Sequence, residues 1–400
     1  MLINKLLVKG FRSVRAEIVE FANPLFLVGK NGAGKSNLTD AFAFIADIVS
    51  LPLQTVFNSR GGFSSVRHMT GRSGSTIALA IEFENIMFGD EAEGGTGRFA
   101  FEIQSAPRFG IEVVREQCVV TMPDGATSWY DRQSEKMESN LEWLSGIGGK
   151  WLAPSSLLLP LLGIGPFIPV SQALKSMRAY SIEPWRLREM QDPDTGESLR
   201  SDGGNATSVL NHIKRNSPDA AVRILEILSG IVPCTTSVRT RKHGKKFSLE
   251  FTQRWGEKER LDLEAFNMSD GTLRALGILL AVYQIPSPSV LVIEEPEASI
   301  HPGALSILLD LIRFASRSMQ VVVTTHSPEV LDSTWLADNN LRLVAWEDGT
   351  TIVSRVGEMA GQALKAHLMG AGELLRSNAL QPTTLFVPDP DALPIFVRRP

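Results

Sequence analysis

Three short runs along the chain are apolar without alternation and end abruptly at polar residues: Leu25–Val28, Ser289–Ile293 and Gln320–Thr325. Such runs predict strands buried on both faces, as in a parallel sheet. Residues 76–85, 98–105 and 111–121 alternate or run apolar and predict an antiparallel sheet in a first lobe. Residues 86–97, rich in Gly, Glu and Asp, read as an exposed loop. From about 150 to 230 the chain reads as helical with irregular linkers, Thr207 to Leu228 being interrupted at Pro218. Leu276, Leu279, Leu280 and Tyr283 fall at helical spacing, with Ser269 as N-cap and Asp270 and Gly271 at the dipole-positive end. Two hairpins are predicted, one turning at His243-Gly244 and one joining Leu341–Trp346 to Thr351–Val353.

Composition narrows the picture. The 400 residues carry a net charge of −4, with 21% charged and 43% hydrophobic positions, which excludes a globally basic nucleic-acid binder. This length suits three consecutive segments, 1–150, 151–260 and 261–400. Cys118 and Cys234 have no metal-ligand spacing and read as buried thiols of a reducing compartment. The most apolar window, Trp151 to Val170, contains Pro154, Pro160, Pro166 and Pro169, so it reads as a buried or partner-facing loop and not a membrane helix. With no secretory pattern at Met1–Lys5, the expected location is cytoplasmic.

The chemistry begins where the first apolar run ends. Gly29 to Ser36 reads Gly-x-x-x-x-Gly-Lys-Ser between a strand and a helical pattern, the context that a P-loop requires. Gly29, Asn31, Gly32, Ala33, Gly34, Lys35, Ser36 and Asn37 form the expected phosphate cradle for a nucleoside triphosphate. Lys35 is expected at the β- and γ-phosphates and the Ser36 hydroxyl on Mg²⁺. Glu294 and Glu295 close the second run, where open α/β sheets place their ligands. Glu294 is assigned to the Mg²⁺ shell and Glu295 to activating the attacking water. His326 follows the third run and is assigned to the γ-phosphate or the water.

In this order the motifs resemble the ABC-type ATPases of the SMC/RecF/OLD group. Lys9–Ser13 followed by Glu17–Phe21 is similar to their N-terminal strand pair and brings Arg12 into the nucleotide-binding set. Glu295-Pro296-Glu297 with His301-Pro302 is similar to their extended Walker B and D-loop. Ser269-Asp270-Gly271-Thr272 is similar to the signature of RecF- and OLD-like members. The resemblance covers residues 1–50 and 265–335. It implies an α/β P-loop NTPase with a two-lobe ATPase head. The head has a mixed sheet core, an antiparallel β subdomain and a helical lid in place of a coiled coil. It also implies a homodimer around two ATP molecules, with Ser269 and Gly271 facing the partner head's P-loop. Glu294 stands where the wider class has aspartate, and Gln191 is a Q-loop candidate by position alone.

About 230 residues separate the P-loop from the signature without a heptad repeat, so long arms are absent. Within them, Arg239, Arg241, Lys242, Lys245 and Lys246 crowd one hairpin, which reads either as a DNA-backbone contact or as an edge kept soluble by charge. The acidic stretch Glu189–Glu197 reads as a solvated loop. Only about seventy residues follow His326, and Asp389-Pro390-Asp391 reads as a tail turn, so no nuclease domain is expected. The resulting expectation is an ATPase whose head dimerisation gates a separately encoded effector or a DNA contact, in genome maintenance or antiphage defence. A RecF-like DNA clamp is the alternative, and a transporter subunit a distant one.

Overall fold

In a computed structural model of the chain, residues 1–69, 76–88, 94–106, 110–145, 152–163, 165–256, 259–383 and 388–398 are described. Contacts group the chain into two units, a grouping that cuts across the three consecutive segments. One comprises Met1–Met177, Asp338–Gly361 and Gln381–Pro400, the other Arg178–Ala337 and Gln362–Leu380. Each unit mixes helices with sheet, an α/β architecture.

In the first unit the antiparallel sheet has seven strands, in the order Val14–Glu20, Leu2–Phe11, Ile77–Ile86, Gly95–Ala106, Gly110–Thr121, Thr127–Gln133 and Lys136–Ser139. The expected 86–97 loop is shorter, because Ile86 and Gly95 belong to strands, and 89–93 lie outside the described residues. Helix Lys35–Ile48 joins this core through Phe44, whose ring lies 5.1 Å from Phe11, 5.4 Å from Phe57 and 6.3 Å from Phe101. Each such buried ring contributes roughly 1.5–3 kcal/mol. The unit also holds Leu25–Val28, which runs parallel to Leu341–Glu347, and Leu341–Glu347 turns back into Thr350–Ser354.

The proline-rich window, apart from Trp151 and Ile164 outside the described residues, is tied to the sheet by one buried carboxylate. Glu116 accepts the backbone N–H groups of Leu158 (2.6 Å) and Leu159 (2.8 Å) and the Tyr130 hydroxyl (2.8 Å). Burial raises the pKa values of both Glu116 and Tyr130. Leu159, Phe167 and Val170 are fully buried, which resolves the window as core. Among the described residues no helix is long and apolar enough to cross a membrane. The tail was not anticipated as a packing element. Leu393 and Ile395 cover Leu7, Ala78, Ala80 and Ala100, while Gln117 exchanges two 3.0 Å hydrogen bonds with the Val397 backbone.

In the second unit Val290–Glu294 lies between Arg178–Tyr180 and Gln320–Thr325, parallel to both. The three-residue strand Arg178–Tyr180 was not expected, since it lacks an apolar run. Helices Ala206–Asn216 and Pro218–Ile231 are separate, as Pro218 requires. The basic hairpin Thr235–His243 and Lys246–Trp255 gains an unexpected third strand, Glu259–Glu264. Cys118 is buried, but Cys234 is exposed, correcting the expectation that both thiols are buried. Cys234 holds a left-handed φ of 67° before the hairpin, and such turn positions lie at the surface.

Glu17 gives this fold a pH dependence. Burial pushes its carboxyl up to about 7, even though it accepts the backbone N–H groups of Ile18 and Val353. The folded chain therefore binds a proton that the unfolded chain releases nearer 4.5. Stability from this group is present below that lower value and falls as pH rises towards 7, by about 3 kcal/mol in all. Thermal unfolding should give a lower Tm at pH 7.5 than at pH 5, and Glu17→Gln should shrink that difference.

Candidate nucleotide site

The P-loop is shaped by what its glycines leave out. Gly34 has φ 97°, and a Cβ there would lie 1.9 Å from Thr351 Oγ1 and 2.8 Å from Ser13 Oγ. A Cβ on Gly29 would lie 2.3 Å from the Val344 carbonyl oxygen. Around this loop Asn37 donates to Ser13 Oγ (2.6 Å), Ser13 and Thr351 share a 2.7 Å hydroxyl bond, and Thr351 Oγ1 donates to Ala33 O (3.1 Å). The helix from Lys35 starts at Gly34 without a side-chain cap, so its N-terminus suits an anion. Lys35 is buried, and its Nζ donates to Gly29 O (2.8 Å) and Lys30 O (3.2 Å). Arg12 ion-pairs at 2.8 Å with Asp40 of the same helix, both side chains half-buried.

The second unit carries the acidic and imidazole groups. Glu294 ends its strand half-buried, and Glu295 leaves it at φ 43°. That left-handed turn is held by the Glu295 N–H, which donates to Thr324 O (3.0 Å) and lies 3.2 Å from Thr324 Oγ1. His326 Nδ1 lies 3.2 Å from Glu295 Oε1 and 4.0 Å from Glu297 Oε1, an arrangement that fits an Nδ1–H donor. Glu297 is held well inside, and burial raises its carboxyl pKa. Ser269 caps helix Asp270–Tyr283 as expected, accepting the Thr272 N–H at 3.2 Å. Gly271 presses on the turn after Glu297, since a Cβ there would lie 2.3 Å from Ser299 O.

Two family models match. Residues 1–142 match an "AAA ATPase domain", and residues 236–332 match an "AAA domain, putative AbiEii toxin, Type IV TA system". The first span holds the P-loop; the second holds the signature, the acidic strand and His326. Over these two spans the chain is similar to AAA-type ATPase domains. It is also similar to solved SMC heads. One, bound to the C-winged helix domain of ScpA, is 17% identical with a TM-score of 0.49, covering 90% of this chain and 100% of that one. A second, from Pyrococcus furiosus with an extended coiled coil and bound to the C-terminal domain of ScpA, is 16% identical. Its TM-score is 0.48, covering 92% of this chain and 99% of that one. The SMC head from Thermotoga maritima is 16% identical with a TM-score of 0.42, covering 89% and 99%. No protein of curated function matches.

Several residues with expected roles make firm contacts within the chain. Gln191 is only 4% exposed; its amide nitrogen donates to Arg186 O (3.0 Å) and its oxygen accepts the Thr207 N–H (2.8 Å). It braces its own loop. In the basic hairpin, Arg239 pairs with Glu250 and Asp262, Arg241 with Glu250 and Glu264, and Lys246 with Asp192 at 3.9 Å. Among the described residues Lys242 and Lys245 are exposed and form no ion pair. Sequence reasoning missed Ser13 and Thr351, which meet across 338 positions and leave no local signal.

Alanine at Gly34 or at Gly32 (φ 80°) shares the cost of a positive φ, roughly 1–3 kcal/mol. A Cβ on Gly32 meets nothing within 4 Å, whereas one on Gly34 meets Thr351 and Ser13. The urea midpoint should therefore fall further for Gly34→Ala than for Gly32→Ala, and adding Thr351→Ala should recover part of the Gly34→Ala loss.

Proposed function

We propose that this chain is a cytoplasmic head that binds and hydrolyses ATP, and that ATP-driven homodimerisation gates a partner effector in genome maintenance or antiphage defence. The observation that carries this reading is the Glu295–His326 pair at the ends of two parallel strands, in a chain that also holds a glycine-shaped P-loop. The P-loop N–H groups and the uncapped helix would hold the phosphates, with Lys35 exchanging its loop-carbonyl bonds for phosphate oxygens. Mg²⁺, an ion that shares its shell with phosphates and water, would accompany the nucleotide. Ser36 and Glu294 would hold it, and it would neutralise charge developing on the transferred phosphoryl group. Glu295 would take the proton of the attacking water as the γ-phosphoryl passes to it, releasing ADP and phosphate. His326, oriented through Nδ1, would steady the γ-phosphate or that water. In the dimer, Ser269 and Gly271 would face the partner head's nucleotide.

Gating of an effector is favoured over a DNA clamp, because the acidic neighbours of Arg239 and Arg241 neutralise much of the hairpin. A DNA contact there would fall to Lys242 and Lys245. Lys35→Ala should abolish ATP binding in calorimetry. Glu295→Gln should keep ATP binding while kcat falls about 10²–10⁴-fold. Undiminished turnover in Glu295→Gln would contradict its assignment as base, and DNA cleavage by the purified chain alone would contradict a separate effector.

A further inference from the structure

Glu297 is the one acid of the Glu-Glu-Pro-Glu run that the reading above leaves without a role. Its side chain is 9% exposed. Its Oε1 accepts the Thr325 hydroxyl at 2.6 Å, and that same hydroxyl oxygen accepts the Ser327 backbone N–H at 3.0 Å. The residues on either side of His326 are thus joined through one hydroxyl, and the hydroxyl is anchored on one buried carboxylate. The His326 backbone N–H further stabilises the charged form of that carboxylate. Glu297 Oε1 also lies 4.0 Å from His326 Nδ1, the nitrogen that Glu295 Oε1 approaches at 3.2 Å. Its second oxygen, Oε2, is buried and makes no hydrogen bond among the described residues.

That unpaired oxygen is costly to bury, and a brace for the Thr325 hydroxyl needs only one acceptor. An amide would supply the acceptor without burying a charge. What the carboxylate adds is attraction for an N–H on the imidazole, at a distance where a low local dielectric makes it count. We infer that Glu297 is a positioning residue: through the Thr325 hydroxyl and its own charge it fixes the backbone and ring of His326, with Nδ1 turned inward and Nε2 left for the substrate side. The inference rests on the proposed hydrolysis for its effect on rate, but its effect on the ring does not.

Two measurements test it. In protein labelled with ¹⁵N-histidine, Glu297→Gln should move the His326 ring resonances and leave those of the other five histidines in place. An unmoved His326 ring would overturn the proposal whether or not the chain hydrolyses ATP. In turnover, Glu297→Gln and Thr325→Val should each lower kcat up to about 100-fold with KM for ATP nearly unchanged. Thr325→Ser, which keeps the hydroxyl, should retain the wild-type rate. Because both residues act through one imidazole, combining Glu297→Gln with His326→Ala should cost no more than His326→Ala alone. Losses that multiply, or wild-type kcat in Glu297→Gln beside a slow His326→Ala, would overturn the positioning role while leaving ATP hydrolysis standing. A wild-type chain that binds ATP without turning it over would instead contradict the hydrolysis reading, and the ring measurement would still decide the role of Glu297.

Discussion

The P-loop has its shape because two of its residues lack side chains. Gly29 passes under the Val344 carbonyl, and Gly34 turns left-handed against Thr351 and Ser13, spaces that no Cβ can share. Everything that makes the loop useful follows from that closeness. The helix starts immediately after Gly34 with an uncapped N-terminus, Lys35 is drawn back over the loop carbonyls, and the Ser13–Thr351 hydroxyl pair ties the loop to the Thr350–Ser354 strand. A loop so constrained is preorganised for an anion and loses little freedom in taking one.

The second unit solves a different problem with similar means. Two parallel strands, buried on both faces, end together, so that Glu295 and His326 emerge as neighbours although 31 positions apart. The left-handed turn at Glu295 and the Thr325 hydroxyl re-aim the chain just where it leaves the sheet. The left-handed Glu295 and the buried carboxylate of Glu297 both sit at these strand ends, a placement suited to chemistry.

What could be read in advance was local. The P-loop, the acidic strand, the histidine strand and the Ser269 cap each announce themselves within about ten residues, because strand burial and helix capping are short-range physics. What could not be read depends on who lies opposite. Arg239 and Arg241 look like free positive charge until the register puts Glu250, Asp262 and Glu264 beside them. Gln191 looks available until Thr207 and Arg186 close on it, and the tail looks idle until Leu393 and Ile395 meet the sheet. Likewise the hairpin at 341–354 was legible as a hairpin, but its partnership with Leu25–Val28 was not.

The central claim is that ATP brings two heads together. Light scattering of the Glu295→Gln chain with Mg²⁺, measured without and with ATP, tests it most directly. The account predicts a monomer mass that doubles only when ATP is added, and no doubling once Ser269 is replaced by Arg. A mass that ATP leaves unchanged, while calorimetry shows ATP bound, would contradict it.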